Sequence, residues 1–491
     1  MQRLRLLAAT LVVLVAAGAG AWLLAGAGGS STRQHTVVDG VPLDVVHPAI
    51  SERRPGVVVA HGFAGSARLM AQFGDTLSAR GYVVVLLDFT GHGANTDPLP
   101  DGSASTGDST TALQHDLDVA VTHLRGLSDV DPSRISLVGH SMGASAVTRY
   151  AAAHPEIAAT VAISLPDAST VQPDRPARLL LLVGALEFPN FHTEAKTAAG
   201  PGGADRSLMV VPGVEHISIL YAPRTHRETA DWLDQRAGDP LPSPIRRVSG
   251  AALLLLSLLV GLYPLARLLL GATRAGWPRL AVPHFGRIVV VAGAATGFAA
   301  LVAPLLPSND LPLAVGGYVI GLTALTAVLI LAYQRWFGAS TESPAPPASA
   351  GRVRLVVAAA VLIAYAGVTI AVPMHLGLTH AVPVGARWWL LPLVWAGFAL
   401  LAYAAEKIAG GNSFGVLTVS AIAMVALAGA AVVGLTSTFV LLVVPLLAVL
   451  LLWQAIWSAV LHRFAAPKWL IALVGSLVVG WPIATALPMI R

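Results

Sequence analysis

From residue 248 onward the chain is a succession of apolar runs, near 248–271, 287–306, 312–333, 354–374, 388–405, 414–435, 438–461 and 469–487. A bilayer core of roughly 30 Å is crossed by about 20 apolar residues in a helix, so each run is long enough to span it. Once in lipid, such segments can only be helices, because every backbone polar group must be satisfied within the segment. Composition agrees: 55% of residues are hydrophobic and 12% charged, about half the charged fraction of a soluble domain. A further run, Leu6 to Ala27, follows Arg3 and Arg5 and reads as an uncleaved anchor. Ala25-Gly26-Ala27 leaves a cleaved signal peptide as the alternative.

Charge is unevenly distributed. Residues 35–237 carry 14 basic and 22 acidic side chains, whereas residues 240–491 carry 14 basic ones against only Asp310, Glu342 and Glu406. Placing the N-terminus in the cytoplasm gathers twelve basic residues on the inner side, among them Arg267, Arg274, Arg279, Arg287, Lys407 and Arg463. Arg387 and Arg491 are then alone in the short outer connections, while Arg33, Arg246 and Arg247 flank the soluble stretch. That bias puts residues 35–237 outside the cytoplasm. Basic residues confined to such loops set orientation and give no polyanion site, so nucleic acid is not an expected partner. Cysteine is absent, which removes disulfides, thiolate metal sites and thiol nucleophiles from consideration. The expected organisation is an anchor over 1–34, a soluble domain over 35–237, a Pro/Gly/Arg linker over 238–247 and a membrane domain of about eight helices over 248–491. A Pro/Ser-rich inner loop near 334–352 reads as linker.

The soluble stretch alternates. Val57–Ala60, Val83–Leu87, Ile135–Val138, Thr160–Ile163, Leu179–Val183 and Leu208–Val211 are short and solidly apolar. Such runs fit strands of a parallel sheet covered on both faces. Helix-like stretches, Ala67–Arg80, Thr111–Leu127, Ala144–Ala153 and Arg224–Gln235, lie between them. The expected fold is therefore a doubly wound, mostly parallel α/β sheet, with reactive groups on loops at the carboxyl ends of the strands.

One strand runs straight into Gly139-His140-Ser141-Met142-Gly143. Flanking glycines allow the sharp strand-to-helix turn that lifts a serine hydroxyl above the sheet. His61-Gly62-Phe63-Ala64-Gly65-Ser66 follows another strand end. The backbone N–H groups of Phe63 and Met142 are the natural donors for a developing oxyanion. A serine nucleophile needs a base and an orienting acid. His216 lies past the last strand and Glu187 after Leu179–Val183; Asp167 is the competing acid, with Asp174 behind it. His192 and His226 are rival bases, read as surface histidines. Glu215 adjoins His216 and would point elsewhere. No histidine spacing marks a metal site, and neither metal nor cofactor is expected.

These residues resemble the α/β-hydrolase superfamily, in its compact serine esterase/lipase branch of monoacylglycerol-lipase-like and dienelactone-hydrolase-like members. The resemblance rests on His61-Gly62-Phe63, Asp88-Phe89-Thr90-Gly91-His92-Gly93, Asp131-Pro132-Ser133-Arg134-Ile135 leading into Gly139–Gly143, and Gly213-Val214-Glu215-His216. It covers about 200 residues. It implies Ser141 as nucleophile, His216 as base, Glu187 as acid and an oxyanion hole at Phe63 and Met142. The family's acid is usually Asp, which keeps Asp167 in play. Only about 15 residues separate Ile163 from Leu179, too few for a helical cap.

The expected activity is hydrolysis of a carboxylic ester, lipid or acyl, by a membrane-anchored serine hydrolase. Acyl transfer to a lipid or sugar hydroxyl, and an inactive hydrolase-like binding module, are the alternatives. The expected partners are an acyl-ester substrate and membrane lipids; the sequence carries no signal for oligomeric state. The helical part reads as a scaffold, a lipid path or a transporter.

Overall fold

The computed structural model describes residues 2–49, 52–100, 107–200, 205–235, 240–273, 275–277, 281–337 and 351–491. The start of the expected linker, Arg274, Arg279 and most of the Pro/Ser-rich loop lie outside the described residues. The chain divides into two compact units. One comprises Gly18–Leu253, Pro373–Val384 and Pro488–Arg491; the other comprises Met1–Ala17, Leu254–Val372 and Gly385–Leu487.

In chain order the elements of the first unit follow α1 (Gln2–Ala25), which straddles the division, as β1 (Thr32–Val38), β2 (Val41–His47), β3 (Arg54–Ala60), α2 (Ala71–Ala79), β4 (Val83–Leu87), α3 (Gly107–Gly126), β5 (Val130–His140), α4 (Met142–Ala153), β6 (Ala159–Ile163), β7 (Leu179–Gly184), α5 (Pro189–Ala199), β8 (Arg206–Val211) and α6 (Pro223–Asp234). They build one eight-stranded sheet in the order β1-β2-β4-β3-β5-β6-β7-β8. The ladders β1–β2 and β2–β4 are antiparallel, and every later pairing is parallel. This is the mostly parallel, doubly wound α/β sheet expected from the alternating runs.

Solid apolar runs follow from burial on both faces. Val83, Val85 and Leu87 of β4 join the core under α3 and α4, while Val84 and Leu86 join the core under α2 and α6. Each fully buried Val or Leu contributes roughly 1.5–3 kcal/mol relative to exposure. The hairpin β1–β2 has no counterpart among the apolar runs, because β1 (TRQHTVV) is largely exposed. Its sequence signal is Asp39-Gly40, both at positive φ (46° and 83°), the dipeptide that two-residue hairpin turns favour. Helix α5 is likewise absent from the apolar pattern, since only Phe191, Ala195 and Ala198 are buried.

The second unit is helical. Helices α7 (Arg246–Leu270), α8 (Phe285–Val302), α9 (Gly316–Phe337), α10 (Arg352–Gly377), α11 (Arg387–Ile408), α12 (Ser413–Val432), α13 (Val440–Arg463) and α14 (Lys468–Ala486) supply it, with the start of α7 and the end of α10 belonging to the sheet unit. Among the described residues, eight helices are long and apolar enough to cross a membrane. The break expected between the runs 414–435 and 438–461 falls between α12 and α13. Glu406, near the end of α11, is 1% exposed. Its carboxylate accepts Ser458 Oγ at 2.6 Å and pairs with His462 Nε2 at 2.7 Å, satisfying a buried charge that would otherwise be costly.

Candidate active site

Strand β5 ends at His140, and helix α4 begins at Met142. Ser141 between them sits at φ 54°, ψ −119°, a conformation L-residues adopt only when their surroundings enforce it. The glycines on either side are required by close approach. A Cβ on Gly139 would meet Gly143 O at 2.2 Å, and one on Gly143 would meet His61 O at 2.5 Å and Ala60 O at 2.6 Å. Gly143→Ala is therefore expected to cost about 1–3 kcal/mol by overpacking, read as a lower unfolding midpoint of the full chain in neutral detergent.

The three residues singled out from the sequence meet above this turn. His216 Nε2 lies 3.1 Å from Ser141 Oγ, and His216 Nδ1 lies 3.0 Å from Glu187 Oε2. His216 is 5% exposed and Glu187 8%. A carboxylate can only accept, so Nδ1 carries the proton and Nε2 is left to accept from the Ser141 hydroxyl. Glu187 Oε1 in turn accepts Ser164 Oγ at 2.5 Å and the Gly184 N–H at 2.9 Å. Both carboxylate oxygens are thus engaged in a buried network. The imidazole of His216 packs between the rings of Phe191 and His140, with centroids 4.6 Å and 4.8 Å away.

Sequence reasoning missed two supports. His140 Nε2 donates to the His216 carbonyl at 2.9 Å, tying the turn to the base's loop. Burial holds its pKa well below the usual histidine value, so it is a neutral brace. Ser164, at φ 56° directly after β6, holds the acid. His140 lies within the Gly139–Gly143 motif at a position any residue can fill, and Ser164 carries no motif; only their strand-end positions could have pointed to them.

The other loop is held beside the serine. A Cβ on Gly62 would lie 3.0 Å from Ser141 Cβ, so the His61–Ser66 turn has no room to retreat. His61 Nε2 accepts the Phe89 N–H at 3.2 Å, leaving Nδ1–H to donate to Gly62 O at 2.7 Å. Burial lowers the His61 pKa to about 4, so this strut stays neutral. Asp88 accepts the N–H groups of Ala67 (2.6 Å) and Ala94 (2.8 Å), joining the two strand-end loops; burial pushes its pKa up to about 6 despite those donors. Phe63 stands in that turn with its ring edge-on to His92 at 5.6 Å, and Met142 opens α4, where helix geometry leaves the first N–H groups without intrahelical partners.

The competing residues are placed elsewhere. Asp167 is exposed and accepts both the N–H and the hydroxyl of Ser169 at 2.8 Å, an ordinary local turn. Glu215 accepts the N–H groups of Ile217 and Ser218. His226 is not the surface histidine expected: it is 1% exposed, stacks on Phe73 at 4.2 Å, and bonds Thr76 Oγ1 and Leu220 O. The helix α6 presents it inward to α2, and nothing in the residue's immediate sequence marks that face. Burial lowers its pKa to about 4. A lowered histidine pKa contributes stability that is complete above the unfolded value near 6.5 and is lost as pH falls through about 4. The stability difference between wild type and His226→Gln should accordingly be constant above pH 6.5 and shrink toward pH 4, measured by unfolding midpoints across that range. Among the described residues no group of three or more His, Asp or Glu could hold a metal ion.

Leu186 and Phe188, on either side of Glu187, are 67% and 50% exposed, and Ile217, next to His216, is 41% exposed.

Residues 51–201 match the family model described as Serine aminopeptidase, S33 (Hydrolase_4). An uncharacterized protein of Mycobacterium tuberculosis is 34% identical over 171 residues, covering 34% of this chain and 49% of that protein. Cutinase 1 of Thermobifida cellulosilytica is 27% identical over 120 residues, covering 24% of this chain and 43% of the cutinase. Among solved structures, a dienelactone hydrolase from Anabaena variabilis aligns over 42% of this chain and 99% of its own, at 18% identity and a TM-score of 0.35. The chain spans about half the length of the curated relatives it matches first.

Proposed function

We propose that the chain is a serine hydrolase that cleaves a carboxylic ester of an apolar acyl group through an acyl-enzyme. The observation that carries this is the continuous line from Ser141 Oγ to His216 Nε2 (3.1 Å) and from His216 Nδ1 to Glu187 Oε2 (3.0 Å), raised on a serine at positive φ. His216 takes the proton as Ser141 Oγ attacks the acyl carbonyl, and Glu187 stabilises the imidazolium that forms. The tetrahedral oxygen accepts hydrogen bonds from the N–H groups of Met142 and Phe63, each such donor being worth about 3–4 kcal/mol in the transition state. His216 then gives its proton to the departing alcohol oxygen, leaving the acyl group on Ser141. Water, deprotonated by the same imidazole, releases the acid. The cutinase relative and the exposed Leu186, Phe188 and Ile217, neighbours in sequence of Glu187 and His216, support an apolar acyl chain.

The eight apolar helices and the inward bias of arginine support a protein that crosses a membrane, with the sheet unit on the extracytoplasmic side. A membrane-impermeant fluorophosphonate probe applied to intact cells tests chemistry and sidedness together. Labelling is expected without permeabilisation. Labelling only after permeabilisation would reverse the topology, and none at all in lysed cells would leave the inactive binding module. Products that appear only with added alcohols would redirect the reading to acyl transfer.

A further inference from the structure

The sheet unit contains a cavity of about 190 Å³ that the proposed chemistry does not use, lined by Arg33, His35, Asp44, Arg68, Arg247 and Leu376 among others. Three guanidinium groups converge on it. Arg247 grips Asp75 with two bonds, Nε to Oδ2 at 2.5 Å and Nη2 to Oδ1 at 2.8 Å. Arg33 Nη2 reaches the same carboxylate at 2.5 Å and the Ala71 carbonyl at 3.0 Å. Arg68 meets no carboxylate in these contacts, only the His375 carbonyl at 3.4 Å. Asp44 pairs with His35 Nδ1 at 3.0 Å. Among the lining residues and their hydrogen-bonded partners, three guanidinium groups face two carboxylates, Asp75 and Asp44, one positive charge in excess; Asp88 acts on Arg68 only from beyond ion-pair distance. Burial and the neighbouring Arg247 both push the Arg33 pKa down, a strain that an added anion would relieve.

The cavity's position specifies the anion further. Arg247 is the second residue of α7 and Leu376 the next to last of α10, both apolar helices of spanning length. Arg246, beside it, lies over the Trp22 ring at 5.2 Å, the aromatic–arginine pairing typical of a membrane–water boundary. We propose that this cavity is a binding site for a singly charged phosphodiester, the group carried at that depth by a phospholipid headgroup. A phosphodiester matches the single surplus charge, and guanidinium forks bind phosphate oxygens in pairs. Arg68, the least committed of the three, would be the main contact. The proposal rests on the reading that α7 and α10 cross a membrane; it does not require ester hydrolysis.

The test uses the full chain carrying Ser141→Ala, so that no probe is consumed, in a neutral maltoside detergent. Binding is measured by calorimetry for dihexanoyl phosphatidylglycerol, dimethyl phosphate and neutral dihexanoyl glycerol. The phosphatidylglycerol is expected to bind, and adding Arg68→Gln should weaken it at least tenfold, with Arg68→Lys recovering part of the loss. Neutral dihexanoyl glycerol should not distinguish the variants. Dimethyl phosphate bound with the same Arg68 dependence would support the site with a free phosphodiester as a sufficient ligand; Arg68-dependent binding of the lipid alone would support the headgroup as source. Phosphatidylglycerol that fails to bind, or binds Arg68→Gln as tightly, overturns the proposal. Turnover of p-nitrophenyl butyrate by the Ser141 chain with Arg68 intact, measured separately, distinguishes this outcome from failure of the hydrolase reading.

Discussion

Replacing Ser141 by alanine is expected to lower ester turnover by about 10⁶-fold and to abolish fluorophosphonate labelling. On the proposed mechanism the hydroxyl becomes covalently bonded to the substrate, with His216 Nε2 3.1 Å away to take its proton. Alanine keeps the same Cβ at the same backbone angles, so the turn and the unfolding midpoint should be preserved. The measurement is p-nitrophenyl butyrate hydrolysis by the full chain in detergent, paired with probe labelling. A variant that retains more than a hundredth of the activity would mean that another group performs the attack.

Glu187→Gln should cost about 10⁴-fold in kcat with little change in KM. The reason lies in which oxygen does what. Oε1 accepts two donors, Ser164 Oγ and the Gly184 N–H, so the glutamine carbonyl must occupy that side. Its amide NH2 is then turned to His216 Nδ1, where the carboxylate accepted at 3.0 Å. An N–H facing Nδ1 forces the ring proton onto Nε2, which can no longer accept from Ser141. Asp167→Asn, altering a side chain bonded only to Ser169 in the contacts described, should leave kcat within twofold. Equal losses in both variants would assign the acid wrongly.

The parallel strands were legible because burial on both faces writes itself as short runs of Val, Ile and Leu; Val83–Leu87 is the same in sequence and in structure. The spanning-length helices were legible for a related reason, since lipid tolerates few charges within a segment. Strand β1 was not, because its outward residues are polar and its partner β2 contains Pro42 and Asp44. The chain order Ser141, Glu187, His216 was readable from strand ends alone, whereas which carboxylate, Glu187 or Asp167, lies against His216 needed the positions of Ser164 and Gly184. Tertiary placement decides such choices: His226 has unremarkable sequence neighbours, His140 lies inside the serine turn but is marked only as a spacer there, and packing gives each its role.

Residues 91–99 pair with residues 489–491, through Leu99 N–H to Met489 O (2.9 Å), Met489 N–H to Gly91 O (2.7 Å) and Arg491 N–H to Leu99 O (3.2 Å). Ser66 Oγ likewise accepts the His380 N–H at 3.0 Å and meets Thr379 Oγ1 at 2.8 Å. Ribosomal synthesis delivers the sheet long before either of these distant stretches. The pairing that closes the loop at 91–99 therefore forms only after all eight of the long apolar helices described have been synthesised, and the one at Ser66 only after α10, so the sheet unit is completed last by the far end of its own chain.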